Sequence, residues 1–273
     1  MKNERCFLML MLAVSVNLLF AVNLCFSFQD KKDNKMLYQA IEALKLSEEI
    51  GDRLWPGYKL KEIPIAIYSP GGEAFLINHP SPPSGFEEVE TSYSDEYKIY
   101  YTEKTNMFDA ATATMVNGVL TAVIPCQKHF EKLSGKIKPT EEQIGTIFHE
   151  AFHVFQDNWK FPPINYIMFN KYPVFSAINN TLGNLEGKIL AKALLESDIS
   201  VVKSLARKFL AVRNERQSKF DRDMINYENG IELLEGLAFY IHKMLNKFKE
   251  ESIPLTLSLI HISEPTRPLY ISY

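Results

Sequence analysis

Residues 140–156 read TEEQIGTIFHEAFHVFQ and have the pattern of a helix that packs against a core. Thr140 can cap a helix, Gln143 three residues later can complete a capping box, and Pro139 stands just outside the start. Apolar residues recur through the segment at helical spacing, so one side of the helix can pack against a core. We predict a helix from Thr140 to about Asn158, ended by the Phe-Pro-Pro sequence that follows.

This predicted helix carries an H-E-x-x-H pattern formed by His149, Glu150 and His153. Residues four apart lie one turn apart on the same face, so both imidazoles can bind one ion. Neutral imidazole is a good zinc ligand, and a catalytic zinc site keeps one position open for water. Glu150 can reach such a water and act as general base. The pattern predicts one catalytic Zn²⁺, and the alternative is a chance motif in a helical protein without metal.

A catalytic zinc normally takes three protein ligands, so one more must come from elsewhere in the chain. A later predicted helix offers Glu228, Glu232 and Glu235, among which helical periodicity does not choose. HEAFHVFQ at 149–156, followed by LLEGLAFY at 233–240, resembles the gluzincin-type zinc peptidases, whose H-E-x-x-H-x-x-Q motif is completed by a Glu in an E-G-x-A-x-Y context. The resemblance implies that Glu235 is the third zinc ligand.

Other acidic residues are candidates for supporting roles around the metal. Glu228 is roughly in line with Glu235 on its helix and is expected to hold a ligating imidazole N–H, with a solvated helix face as the alternative. For Glu232 a solvated helix face is favoured. Glu186 shares an apolar stripe, where an unpaired carboxylate is unfavourable. It is therefore expected either to contact a ligating His or to pair with a basic residue such as Arg213.

Four further residues complete the predicted site. Gln156 matches the downstream Gln of the family, and a structural role is favoured for it over a supporting role at the metal. Gly236 is expected to permit the close approach of two helices. Similar enzymes stabilise the oxyanion with a downstream Tyr or His, which makes Tyr240 and His242 candidates, although Tyr240 could equally pack as a core aromatic.

The rest of the chain predicts an α+β fold with a small N-terminal sheet region and a mainly helical C-terminal part. The resemblance implies that this fold is zincin-like, with substrate aligned along an edge strand for which Val119–Ile124 is the candidate. Pro80–Gly85 is expected to be an exposed loop. A leading helix is predicted over Met36–Ile50, with Gly51 as its stop signal. The predicted strands are IPIAIYS (63–69), EAFLINH (73–79), YKIYYTE (97–103) and VLTAVIP (119–125), and the later helices are Leu182–Glu196, Ile199–Phe220 and Met224–Phe248.

The two ends of the chain are expected to lie outside the fold. Residues 1–27 have the layout of a secretory signal peptide, with an uncleaved N-terminal anchor as the alternative. Residues 257–273 resemble translated sequencing-adapter DNA, so we interpret them as an artefact joined to a C-terminally truncated frame. The expected domain is a single zincin-like unit over residues 28–256, with helix and sheet in 28–135 and the metal-bearing helical part in 136–256.

Composition restricts the classes of partner. Thirty basic and 33 acidic residues give a net charge of -3, which does not favour nucleic acid, and the apolar content of 46% suits an ordinary globular domain. Cys126 has no obvious partner outside the leader and is expected to be a buried, inert thiol. The predicted function is a zinc peptidase acting outside the cytoplasm on a peptide or protein, touching a membrane only if the N-terminal segment is retained. The alternative is a non-catalytic extracytoplasmic metal-binding or assembly protein.

Overall fold

The computed structural model describes residues 34–136 and 138–250, with side chains described only up to residue 245. The expected signal peptide over residues 1–27 and the adapter-like tail over 257–273 lie outside the described residues. The chain divides into two compact units, Met1–Val154 and Phe155–Tyr273. Helices and a mixed sheet together confirm the α+β class, whereas the zincin-like fold and the single domain over residues 28–256 stay predictions.

The first unit contains a six-stranded sheet in the order β3-β4-β2-β1-β6-β5. Neighbouring strands are antiparallel except for β1 and β6, which are parallel. The strands are β1 (Ile65–Tyr68), β2 (Ala74–Ile77), β3 (Glu87–Glu88), β4 (Ile99–Thr102), β5 (Thr112–Val116) and β6 (Val119–Pro125). The four strands predicted from the sequence are confirmed, and the segment 80–85 is a loop in which only Pro83 is buried.

The prediction that Val119–Ile124 forms an edge strand is wrong. β6 lies inside the sheet between β1 and β5, and β5 is the edge. Asn117 and Gly118 join β5 to β6 with φ angles of 44° and 81°, which is the geometry of a two-residue type I′ hairpin. The Asn-Gly dipeptide is the sequence signal that would have revealed β5, whose partly exposed TATMV sequence has little apolar alternation of its own.

Helix α1 (Lys35–Leu54) begins at Asn34, whose side chain accepts a hydrogen bond from the Met36 N–H at 2.9 Å. The helix runs through Gly51, so the prediction that Gly51 stops it is wrong. A Cβ at this position would lie 2.5 Å from the carbonyl oxygen of Tyr58. Gly51 is therefore a point of close approach between the helix and the chain that returns after it.

Replacing Gly51 with Ala is expected to lower the free energy of unfolding by about 1–3 kcal/mol, because the backbone of Tyr58 must shift to admit the methyl group. Gly183→Ala is the matched control, since a Cβ there meets no described atom within 4 Å. Removing that helical glycine should stabilise by about 0.5–1 kcal/mol. Urea denaturation of both variants measures the difference, and equal behaviour of the two would show that the approach at Gly51 is not tight.

Two helices follow the sheet. Helix α2 (Gln127–Ser134) ends at Gly135 in the left-handed conformation, and α3 (Thr140–Gln156) carries the H-E-x-x-H pattern. A 3-10 turn, Asp157–Trp159, continues α3 as the prediction to about Asn158 anticipated. The capping box is not formed as predicted, because the Gln143 Oε1 atom that would accept its hydrogen bond has no partner among the described residues. The wholly buried side chain donates instead to the carbonyl of Pro125 at 2.9 Å. Gln143 thus fastens α3 to the end of β6.

The second unit is helical. Its helices are α4 (Ala177–Leu195), α5 (Ile199–Gln217) and α6 (Arg222–Glu250), preceded by a 3-10 segment at Tyr166–Asn170. The three helices predicted here are confirmed, although α4 begins earlier, at Ser176, whose side chain caps the Asn179 N–H. Within the described part of the chain, no helix has the length and apolar character that crossing a membrane requires.

Candidate metal centre

His149 and His153 lie on consecutive turns of α3, and their rings converge. The two Nε2 atoms are 3.1 Å apart, and the ring planes are nearly perpendicular at 86°. One ligand atom from each of His149, Glu150 and His153 lies within 4.8 Å of the other two. Two unprotonated imidazole nitrogens would repel each other at this distance, so their convergence suits a shared proton or a shared cation. The cluster could hold a metal ion.

The opposite side of α3 fixes the helix in the core. Ile147, Phe148, Ala151 and Phe152 are wholly buried. The hydroxyl group of Tyr58 donates to the carbonyl of Phe148 at 2.9 Å, and its ring meets that of Phe152 edge-on at 5.2 Å. Burial raises the pKa of Tyr58 well above its usual range, so it remains a neutral donor. The two histidines are thereby held half-buried, and Glu150 is 7% exposed.

Lys138 brings a positive charge to the motif helix. Its ammonium group donates to the Thr146 hydroxyl at 2.9 Å, one turn before Glu150. No sequence pattern indicated this contact, because Lys138 lies in the loop between α2 and α3.

Gln156, at the end of α3, is wholly buried and donates to the carbonyl of Leu234 on α6 at 3.1 Å. This is a structural contact of the kind favoured for Gln156, and any role at a metal stays a prediction. Glu235, the residue after Leu234, is partly buried on α6. Because His149 and His153 belong to the first unit and Glu235 to the second, its assignment as third ligand stays a prediction.

The expected close approach at Gly236 is wrong. A Cβ there would meet no described atom within 4 Å, and the residue is exposed. One turn and a half earlier, a Cβ at Gly230 would lie 2.9 Å from the side chain of Ile164. The glycine that α6 requires for packing is therefore Gly230. The prediction for Gly236 failed because the local sequence does not show which residues pack against a glycine.

A buried ion-pair network joins the helices of the second unit. Arg216 is 3% exposed, and its guanidinium group donates to Glu186 through Nε and to Glu228 through Nη1, each at 2.5 Å. The Tyr172 hydroxyl also donates to Glu228, at 2.6 Å. Burial alone would lower the pKa of Arg216, but its hydrogen bonds and charge interactions with Glu186 and Glu228 raise it. The arginine therefore stays charged.

This network decides between the alternatives for the acidic candidates. The pairing of Glu186 with Arg213 is confirmed, with Nε and Oε2 at 3.1 Å. Glu232 forms a bidentate pair with Arg213 at 2.7 and 2.8 Å, so it is a half-exposed ion pair rather than a purely solvated residue. Glu228 is 11% exposed and paired with Arg216, so the alternative of a solvated helix face is wrong for it, and its expected bond to an imidazole stays a prediction.

The two candidate oxyanion donors lie near the end of the described part of α6. Tyr240 is 46% exposed, so its alternative role as a core aromatic is wrong. His242 is partly buried, and its ring centre is 6.3 Å from that of Phe239. Their role as donors stays a prediction. Cys126 is buried and free of disulfide bonding, as expected.

Comparison with known protein families found no match for this chain. Searches of curated proteins and of solved structures likewise found none. What the protein does is therefore inferred from its own residues, above all His149, Glu150 and His153.

Proposed function

We propose that this protein is a zinc-dependent peptidase, with Glu150 as the general base, acting outside the cytoplasm. The observation that carries the proposal is the convergence of the His149 and His153 Nε2 atoms beside the Glu150 carboxylate on a helix anchored in the core. A helix held only for packing would gain nothing from three polar groups gathered on one of its faces.

The donor set fits zinc. Two imidazole nitrogens are ligands that zinc accepts, and the clustered His149 and His153 would supply them. The proposed third ligand is the Glu235 carboxylate, as the resemblance to the gluzincin motif implies. Zinc bound here would supply Lewis acidity toward water and a substrate carbonyl. The E-G-x-A-x-Y sequence around Glu235 supports its choice over Glu228 and Glu232, the other two candidates on α6. Glu228 and Glu232 already pair with Arg216 and Arg213.

Glu150 has the position that a general base needs. Its carboxylate lies within 4.8 Å of the imidazole ligand atoms and is largely shielded from bulk water. In the proposed mechanism it accepts a proton from the attacking water and delivers it to the leaving amine. Tyr240 and His242 are the proposed donors to the oxyanion that forms on the substrate carbonyl.

The edge strand β5 supports an extended peptide as substrate. In a two-residue hairpin the flanking pair, Val116 and Val119, is hydrogen-bonded, and the bonded pairs then alternate along the strands. The main-chain groups of Ala113 and Met115 therefore point away from β6. The N–H of Ala122, the partner of Ala113, accordingly donates to Pro64 on the far side of β6, at 2.9 Å. Such an open edge can pair with an added strand.

Glu235→Ala tests the proposed ligand set. We expect zinc affinity to fall by more than about 100-fold, since the loss of a supporting residue alone costs about 10–100-fold. Glu232→Ala is the matched control, because Glu232 lies one turn earlier on the same helix and pairs with Arg213. Metal content by mass spectrometry and chelator competition measure the affinity. Unchanged zinc binding in Glu235→Ala would remove this residue from the ligand set.

Hydrolysis of a quenched fluorescent peptide mixture tests the function itself. The protein loaded with one zinc ion should cleave peptides, and removal of zinc by a chelator should abolish cleavage until zinc is restored. Stoichiometric zinc without any cleavage would instead favour the alternative, a metal-binding protein without turnover. Failure to bind zinc would contradict both.

A further inference from the structure

Lys138 is held in place from both sides by α2. Its N–H donates to the Glu131 carboxylate at 3.2 Å, and its carbonyl accepts a hydrogen bond from the side chain of Gln127. Its ammonium nitrogen lies 3.7 Å from the centre of the Phe130 ring, within cation–π range. These contacts restrict the Lys138 side chain, which costs conformational entropy that a freely solvated lysine would keep. They hold the ammonium group in one position.

The Lys138 ammonium group lies against the face of α3 that contains Glu150. Glu142, Thr146 and Glu150 are spaced by four residues and share one face of the helix. The Thr146 hydroxyl donates to the Glu142 carbonyl at 2.9 Å and accepts from the Lys138 ammonium at the same distance. Burial lowers the pKa of Lys138 to about 8, while the charges of Glu142 and Glu150 act in the opposite direction. At pH 7 the group is mainly protonated.

The Glu150 carboxylate is therefore attracted both by a metal bound at the histidines and by the Lys138 ammonium group. Its carboxylate is close enough to the imidazole ligand atoms to bind a metal itself. A carboxylate that binds zinc cannot at the same time serve freely as the base. The positive charge of Lys138, on the Thr146 side of the helix, attracts the Glu150 carboxylate and opposes its movement toward a bound metal.

We propose that Lys138 is a positioning residue that holds the Glu150 carboxylate toward Thr146, so that Glu150 stays available as a base instead of ligating zinc. This proposal rests on the proposed zinc peptidase function. Removing the ammonium group should let Glu150 approach the metal, which strengthens zinc binding and weakens turnover. A residue that only supports the fold would weaken both.

A double-mutant cycle on the full chain at pH 7 tests this proposal with zinc alone as the probe. Lys138→Met should tighten zinc binding by about tenfold when Glu150 is present. In a Glu150→Gln background the same substitution should tighten zinc binding by no more than about twofold. Direct repulsion between Lys138 and the ion acts in both backgrounds, so the difference reports Glu150. In peptide hydrolysis, kcat should fall about tenfold or more with KM changed less than about threefold.

Three further variants complete the experiment. Lys136→Met removes an exposed charge from the same loop and should change neither quantity. Lys138→Arg keeps the charge and should retain zinc affinity within about twofold. If Lys138→Met does not fold, Thr146→Val removes the acceptor of the ammonium group and should show the same coupling in the same direction, by at least about twofold.

The outcomes separate the two proposals. Lys138→Met could change zinc affinity equally with and without the Glu150→Gln substitution, or could weaken binding in both backgrounds. Either result overturns the proposed role of Lys138 and leaves the proposed peptidase function in place. Coupling without hydrolysis overturns the peptidase and leaves Lys138 as the residue that positions Glu150. Absence of stoichiometric zinc in the unmodified protein overturns both.

Discussion

Glu150→Gln is expected to lower kcat for peptide hydrolysis by about 100- to 10,000-fold, the contribution usual for a positioned general base. Glutamine has nearly the shape of glutamate, so it fills the same largely buried position on α3. It cannot accept a proton at neutral pH. His149 and His153 are unchanged, and zinc should therefore remain bound at one ion per chain.

Glu141→Gln is the control for this substitution, because Glu141 is exposed in the first turn of the same helix. It removes the same charge and should leave kcat within about twofold. Steady-state kinetics on a cleaved peptide, with metal content measured on the same samples, gives both quantities. Glu150→Gln with wild-type kcat would exclude Glu150 as the base, whereas loss of zinc in this variant would show that Glu150 holds the metal.

Arg216→Met is expected to lower the free energy of unfolding by about 3–5 kcal/mol, the range for breaking one side of a buried ion pair. The side chains of Glu186 and Glu228 are 5% and 11% exposed, so both carboxylates would lose their main partner away from water. Methionine matches the length of the arginine stem but cannot hydrogen-bond to either acid.

Lys219→Met is the matched control, since the pair that Lys219 forms with Glu215 is exposed and should contribute less than about 1 kcal/mol. Urea denaturation measures both variants. Adding Glu186→Gln to Arg216→Met should recover part of the loss, because it removes one of the uncompensated charges. A loss of under about 1 kcal/mol in Arg216→Met would mean that the network does not stabilise the second unit.

The elements that carry a strong local pattern were predicted well. The motif helix was identified by its helical apolar spacing, and the four central strands by short β-branched and aromatic runs. The His149, Glu150 and His153 cluster follows from the same cause. Residues four apart on a helix meet whatever surrounds the helix, so the spacing of His149 and His153 is enough to bring their rings together.

Features that depend on pairing between distant segments were missed or wrong. β5 pairs along the outer side of β6, so β6 is not an edge strand. Strand order depends on which segments pair, and the composition of a strand does not show this. Gly51 lies inside a helix, although glycine is locally a stop signal, and the approach of the Tyr58 carbonyl leaves no room for a side chain there. Arg216 became the main partner of Glu186 and Glu228 from a different helix.

The clustering of the two histidines and the glutamate between them is a local property of the chain, because helical geometry turns their spacing directly into proximity. The tertiary structure decided which residues surround that site. It brought Lys138 from a loop to the Thr146 hydroxyl on the motif helix, and it placed β5 at an edge of the sheet. These relations join residues from different elements, and only packing of the whole unit brings their side chains within contact distance.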